Sequence, residues 1–301
     1  INKGTPTEEI YPLFCQQQGK NSFEMAAKHL SRVIMDCLVH LRKKENVQAA
    51  IFNHITKAEI LFERELFEAA FNQLDKAKNL ATTYENDPLL LLIRRTELKY
   101  LSTLGFKGLS ERELVNKQMK INDTMKYSRN TNLHLQLYDI LKYRITYKGY
   151  IRSDKQKDNL NDLILSELNL IANSSYKGFE AKKLHLLFQA TYYLNIGNYK
   201  SAIRFYQELI TLFESNQHLI LNPPIYYLSA ILGVLDSLHM AGLYKEMPFF
   251  IERLEKIRQG DCATEFLLEI SAYIYLYEQA SLINTGKFEA ALILFGKYED
   301  S

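Results

Sequence analysis

Apolar residues recur every three or four positions along most of this chain. Over residues 22–43 they fall at Phe23, Ala26, Ala27, Leu30, Val33, Ile34, Cys37, Leu38 and Leu41. That is the stripe of a helix that buries one face, and Ser22 is its candidate N-cap. The same period predicts helices over 46–64, 67–83, 88–104, 110–128, 131–148, 158–173, 179–196, 199–215, 224–241, 244–258, 263–285 and 288–300. Start signals agree with it. Asp87 and Pro88 supply a cap and a first-turn proline, and Ser110 with Glu113 has the spacing of a capping box. Residues 152–159 are the one polar stretch without the period and read as a loop.

A second regularity is laid over the first. A turn residue follows a helix, an aromatic comes two positions later, and a small residue three after that. Gly197, Tyr199 and Ala202 make one copy; Gly286, Phe288 and Ala291 make another. Glu65, Phe67 and Ala70 repeat it with glutamate in the glycine position, and Gly242, Tyr244 and Met247 are a degenerate copy. Gly105 and Gly149 mark two further turns that lack the alanine. From Glu65 to Gly286 the turns are spaced 40, 44, 48, 45 and 44 residues apart. Glycine after a helix takes the left-handed conformation that caps it and reverses the chain. The aromatic can fill the gap between two helices. The small residue sits where they cross, as do Ala58, Ala190 and Ala280 on the first helix of a pair. A hairpin of this kind cannot cover its own apolar face and needs neighbours to stack on.

These residues are similar to the tetratricopeptide repeat. Ala190, Tyr193, Tyr199, Ala202 and Tyr206 match its pattern around Gly197, and Ala58, Phe67 and Ala70 match it around Glu65. The resemblance extends from Val47 to the end of the chain. It departs from the family in having no tryptophan and in a period about ten residues longer than the usual 34. It implies an all-α fold, a right-handed superhelical α-solenoid of antiparallel helix pairs. Residues 1–45 would be an N-terminal helical segment packing on the array, and 46–301 an array of about six pairs. It also implies a groove lined by the first helix of each pair. Mapped onto this sequence, the groove positions are Arg95, Lys99, Gln136, Tyr143, Tyr147, Thr191, Asn195, Asp236, His239 and Asn284. The function implied is a non-catalytic scaffold that holds a protein or peptide segment. The alternative is a ligand- or peptide-sensing module of a larger bacterial signalling or transcription-control protein, with the helix over 22–43 in an output bundle.

Composition narrows the picture in a few places. Apolar residues are 47% of the 301, enough for a continuous core, while 12 glycines and 6 prolines are too few for a turn-rich β fold. Lys+Arg 37 against Asp+Glu 35 leaves a net charge of +2, too balanced to call for a polyanionic partner. Basic residues and tyrosines mix between Tyr138 and Lys157, but Asp154 and Asp158 dilute them, so nucleic acid is disfavoured. Cys15, Cys37 and Cys262 are odd in number and form no C-x-x-C motif, which reads as reduced thiols in a cytoplasmic protein. No histidine pair has metal-ligand spacing, and neither a glycine-rich phosphate loop nor a G-x-S-x-G elbow occurs. The expectation is therefore no enzyme, no metal, no cofactor and no membrane span. The last predicted helix carries six successive apolar residues, 290–295, more than one neighbour can cover. This predicts that further sequence, a covering domain or a homodimer mate lies against it.

Overall fold

The computed structural model describes residues 20–42, 46–148, 160–173, 178–220 and 223–299, and among them there are helices and no strand. The chain divides into two compact units, Ile1–Lys117 and Gln118–Ser301. The first holds α1 (Lys20–Arg42), α2 (Val47–Glu63), α3 (Phe67–Thr83), α4 (Asp87–Thr103) and the start of α5 (Glu111–Lys148). The second holds the rest of α5, then α6 (Asn161–Asn173), α7 (Phe179–Asn195), α8 (Tyr199–Ser215), α9 (Ile225–Met240), α10 (Met247–Arg258), α11 (Thr264–Asn284) and α12 (Phe288–Glu299).

The turns share one design. After α2 the Leu66 amide bonds the Leu61 carbonyl at 2.9 Å and the Glu65 amide bonds Phe62 at 3.0 Å. This pair of bonds, with a left-handed residue between, closes a helix C-terminus by satisfying its last carbonyls. It recurs at Gly105, Gly197, Gly242 and Gly286, and also at Glu85, which lacks any glycine signal. Glu65 has φ 61° and Glu85 φ 47°. Both accept a backbone cost of about 1–2 kcal/mol that a glycine would not meet. The capping box forms as read: the Ser110 amide donates to Glu113 Oε2 at 2.9 Å and the Glu113 amide to Ser110 Oγ at 3.3 Å. At α4 the cap is Asn86, which accepts from the Leu89 amide, so Asp87 and Pro88 lie within the first turn.

Three expectations are corrected. The helices expected over 110–128 and 131–148 are one helix, α5. No glycine or proline interrupts residues 111–148. Continuing through the polar residues 128–132 costs a few tenths of a kcal/mol each, whereas two new ends would open eight backbone groups. Ser22 lies inside α1, which already runs from Lys20. Pro248 starts α10 at Met247, after a separate 3-10 turn at Tyr244–Glu246. Gly149 and the loop expected at 152–159 fall outside the described residues.

In the first unit α2 packs on α3, α3 on α4, and α2 also reaches α4. Ile51, Ala58, Leu74 and Ile93 are buried between them, and the Phe62 and Tyr100 rings stack at 3.8 Å. In the second unit α7, α8, α9, α10, α11 and α12 each pack on the next, and α7 reaches α9. Ala70, Ala190 and Ala202 are fully buried, as their place in the repeated pattern requires, and Met247 fills the same place in the degenerate copy. Ala280 is half-buried. Two apolar surfaces stay open. Met25, Leu30, Ile34 and Leu38 of α1 are exposed, as are Phe288, Leu292, Ile293 and Phe295 of α12. Phe288 therefore does not fill an inter-helix gap as Phe67 does against Phe62, at 5.1 Å.

The left-handed glutamate generates a test. Glu65→Gly is expected to raise the stability of the first unit by about 1 kcal/mol, read by urea denaturation. A loss of stability would show that the side chain, not the backbone, sets the energy of this turn.

Candidate functional site

In the second unit, α5, α7, α9 and α11 together carry a row of polar and aromatic side chains. It begins at Tyr138 of α5, whose hydroxyl bonds Thr191 of α7, and Tyr206 of α8 bonds the same threonine. Both phenols are nearly buried, at 8% and 5% exposure, and Thr191 gives each the partner it needs there. Burial pushes the Tyr206 hydroxyl up to about 12, against the Thr191 hydrogen bond that pulls it down. Burial also raises Tyr138, with the phenol of Tyr206 adding to it.

Tyr206 fits because α9 has no side chain at Gly233. A Cβ on that residue would lie 2.3 Å from the ring's Cζ. One helical turn further along α9, Asp236 accepts a hydrogen bond from the Tyr277 hydroxyl of α11 at 2.6 Å. Asp236 is open to solvent on one side, yet the protein crowding its carboxyl raises it above the usual aspartate range; the Tyr277 bond and His239 oppose that shift. Tyr277 rises through burial and the facing Asp236 charge, and Tyr273 through burial and its hydrogen bond to Glu269 at 3.1 Å. At the other end of the row, Lys183 pairs with Glu180 at 2.6 Å and lies 4.2 Å over the Tyr226 ring.

The groove positions mapped from sequence divide accordingly. Thr191 and Asp236 are members of the row, and the charge of His239 reaches Asp236. Asn195 lies one turn beyond Thr191 on α7, is 7% exposed, and donates from Nδ2 to the Thr191 carbonyl at 2.8 Å. Its Oδ1 is buried and has no hydrogen-bond partner. Tyr143 and Tyr147 are exposed and lie 4.6 Å apart, ring against ring, on α5. Gln136 is exposed on α5, and Asn284 is exposed with its amide bonded to its own helix at Ala280. Neither joins the row. Arg95 and Lys99 are exposed on α4 in the first unit.

Sequence mapping missed Tyr138, Tyr206, Gly233, Tyr273 and Tyr277. Gly233 carried a signal: a glycine amid 224–241 with no turn beside it costs about 1 kcal/mol of helix stability and needs a packing reason. It also missed a buried cluster. Glu167 of α6 has no exposed side-chain surface; its Oε1 lies 2.6 Å from His185 Nδ1 on α7 and its Oε2 lies 3.4 Å from His134 Nδ1 on α5. Burial alone would raise this carboxyl, but the two neighbouring histidines, His185 by its hydrogen bond and His134 by its proximity, outweigh it and hold Glu167 below the glutamate range. The cluster ties three helices together across 51 residues of sequence, from 134 to 185.

Among the described residues no group of three or more His, Cys, Asp or Glu is placed to hold a metal ion. No helix there is long and apolar enough to cross a membrane. No protein-family model, no curated protein and no solved structure matches the chain.

Two outcomes follow from this geometry. Gly233→Ala forces the Tyr206 ring away from Thr191 and is expected to cost about 1–3 kcal/mol in urea denaturation; an unchanged midpoint would mean the ring moves freely. Glu167 has a folded pKa below its unfolded one, so its stabilisation is complete above the ordinary glutamate value of 4.5 and disappears as pH falls through the lower folded value. The stability gap between wild type and Glu167→Gln should therefore narrow on acidification below that value. A gap that stays constant would contradict the assignment.

Proposed function

We propose that the protein is a non-catalytic scaffold of the tetratricopeptide-repeat type, and that it holds a protein or peptide segment on the face formed by α5, α7, α9 and α11. In this reading the helix pairs stack as a right-handed solenoid and alternate helices line its inner side. One observation carries the proposal: side chains from these four helices, 138 to 277 in sequence and joined through Tyr206 of α8, form one row of hydroxyls, rings and a carboxylate. Such a mixture gives an extended segment hydrogen-bonding groups and flat apolar surface together. The contacts of α7 with α9 and of α2 with α4 are those expected when the first helices of successive pairs lie side by side. The row has no nucleophile–base pair, and its phenols titrate above neutrality, so it suits recognition better than acid–base chemistry.

A second reading has one observation in its favour. α1 runs 23 residues and exposes Met25, Leu30, Val33, Ile34, Met35 and Leu38. A ligand- or peptide-sensing module of a larger signalling or transcription-control protein would use such a helix to join an output bundle.

Panning a phage-displayed library of random peptides against the intact chain tests the scaffold. Enriched peptides are expected to lose binding to a Thr191→Val, Tyr277→Phe double variant by about tenfold or more. Peptides that bind wild type and variant alike would place recognition elsewhere and sink the reading.

A further inference from the structure

The row has two carboxylate stations, and they are not in the same state. At the first, Glu180 holds the Lys183 ammonium at 2.6 Å, and that ammonium also lies over the Tyr226 ring at 4.2 Å. A carboxylate and a tyrosine face thus share one cation, the arrangement that best holds an ammonium or guanidinium group. At the second, Asp236 has Tyr277 bonded to it, with Tyr206 and Tyr273 close enough to feel its charge. The chemistry repeats, but among the described residues no lysine or arginine forms an ion pair with Asp236. The basic group that acts on it is His239.

Resting on the scaffold reading above, we propose that the segment held on this row is basic: a lysine or arginine side chain pairs with Asp236 beside Tyr273 and Tyr277. The attraction is local. The chain carries a net +2, so a polycation gains nothing from the protein's overall charge.

Fluorescence anisotropy with fluorescein-labelled octa-arginine and octaglutamate, on the intact chain at physiological salt, tests the inference. Octa-arginine is expected to bind and octaglutamate not. Asp236→Asn keeps the shape and an acceptor for Tyr277 and should weaken octa-arginine about tenfold. Glu252→Gln, on α10, where Glu252 is paired with Lys256, should change nothing. Equal binding of octa-arginine to wild type and Asp236→Asn would overturn the inference, as would binding of octaglutamate alone. The two readings fail separately. Library peptides that depend on Thr191 and Tyr277 but carry no basic residue leave the scaffold standing and remove the basic partner.

Discussion

Six of the helix ends among the described residues are closed by a residue with positive φ. At Glu65, Glu85, Gly105, Gly197, Gly242 and Gly286 the backbone turns left-handed, and the amides of that residue and the next fold back onto the carbonyls of the helix just ended. The geometry satisfies groups that would otherwise lie open near a packed interface. It also sends the next helix back along the one before, within reach of its apolar face. Ala58 with Ala70, and Ala190 with Ala202, then let the paired helices approach closely, all four with no exposed surface. Core, row and open faces follow from where those reversals fall.

The row of polar residues in the second unit is a product of packing. Tyr138 and Tyr206 share Thr191 because both phenols are buried and each needs a partner. Gly233 is the concession that makes room for one of them. Asp236 and Tyr277 join α9 to α11 by the same economy. Asp236 differs from the Glu180 station in having Tyr277 bonded to it and no lysine or arginine paired with it among the described residues. The buried Glu167, 2.6 Å from His185 and 3.4 Å from His134, joins α5, α6 and α7.

Much of the fold was legible in advance. The bounds of α3 and α8 agree with the apolar period to the residue, and those of α2, α4, α7, α9 and α11 to within one. Burial on one side of a helix must repeat every three or four residues, so it is written directly in the chain. The reading failed where local signals were weak. Residues 128–132 are polar but contain no breaker, and α5 runs through them. Glu85 takes a left-handed turn without a glycine because the packing of α3 and α4 outweighs its backbone preference. Of the ten groove positions, Thr191 and Asp236 lie in the row, with Asn195 and His239 beside it. A mapping by repeat register identifies a helix face but not which side chains on it meet.

The sequence by itself determined the helical class, most helix limits and five of the six left-handed turns, because period, caps and turn residues act over a few neighbouring positions. Only the tertiary structure decided that Tyr206 rests on Gly233, that Asp236 faces Tyr277, that Glu167 lies between two histidines, and that Asn195 keeps an unanswered oxygen. Those relations join residues tens of positions apart. They exist only once helices have chosen their rotation and distance, and no local period encodes that choice.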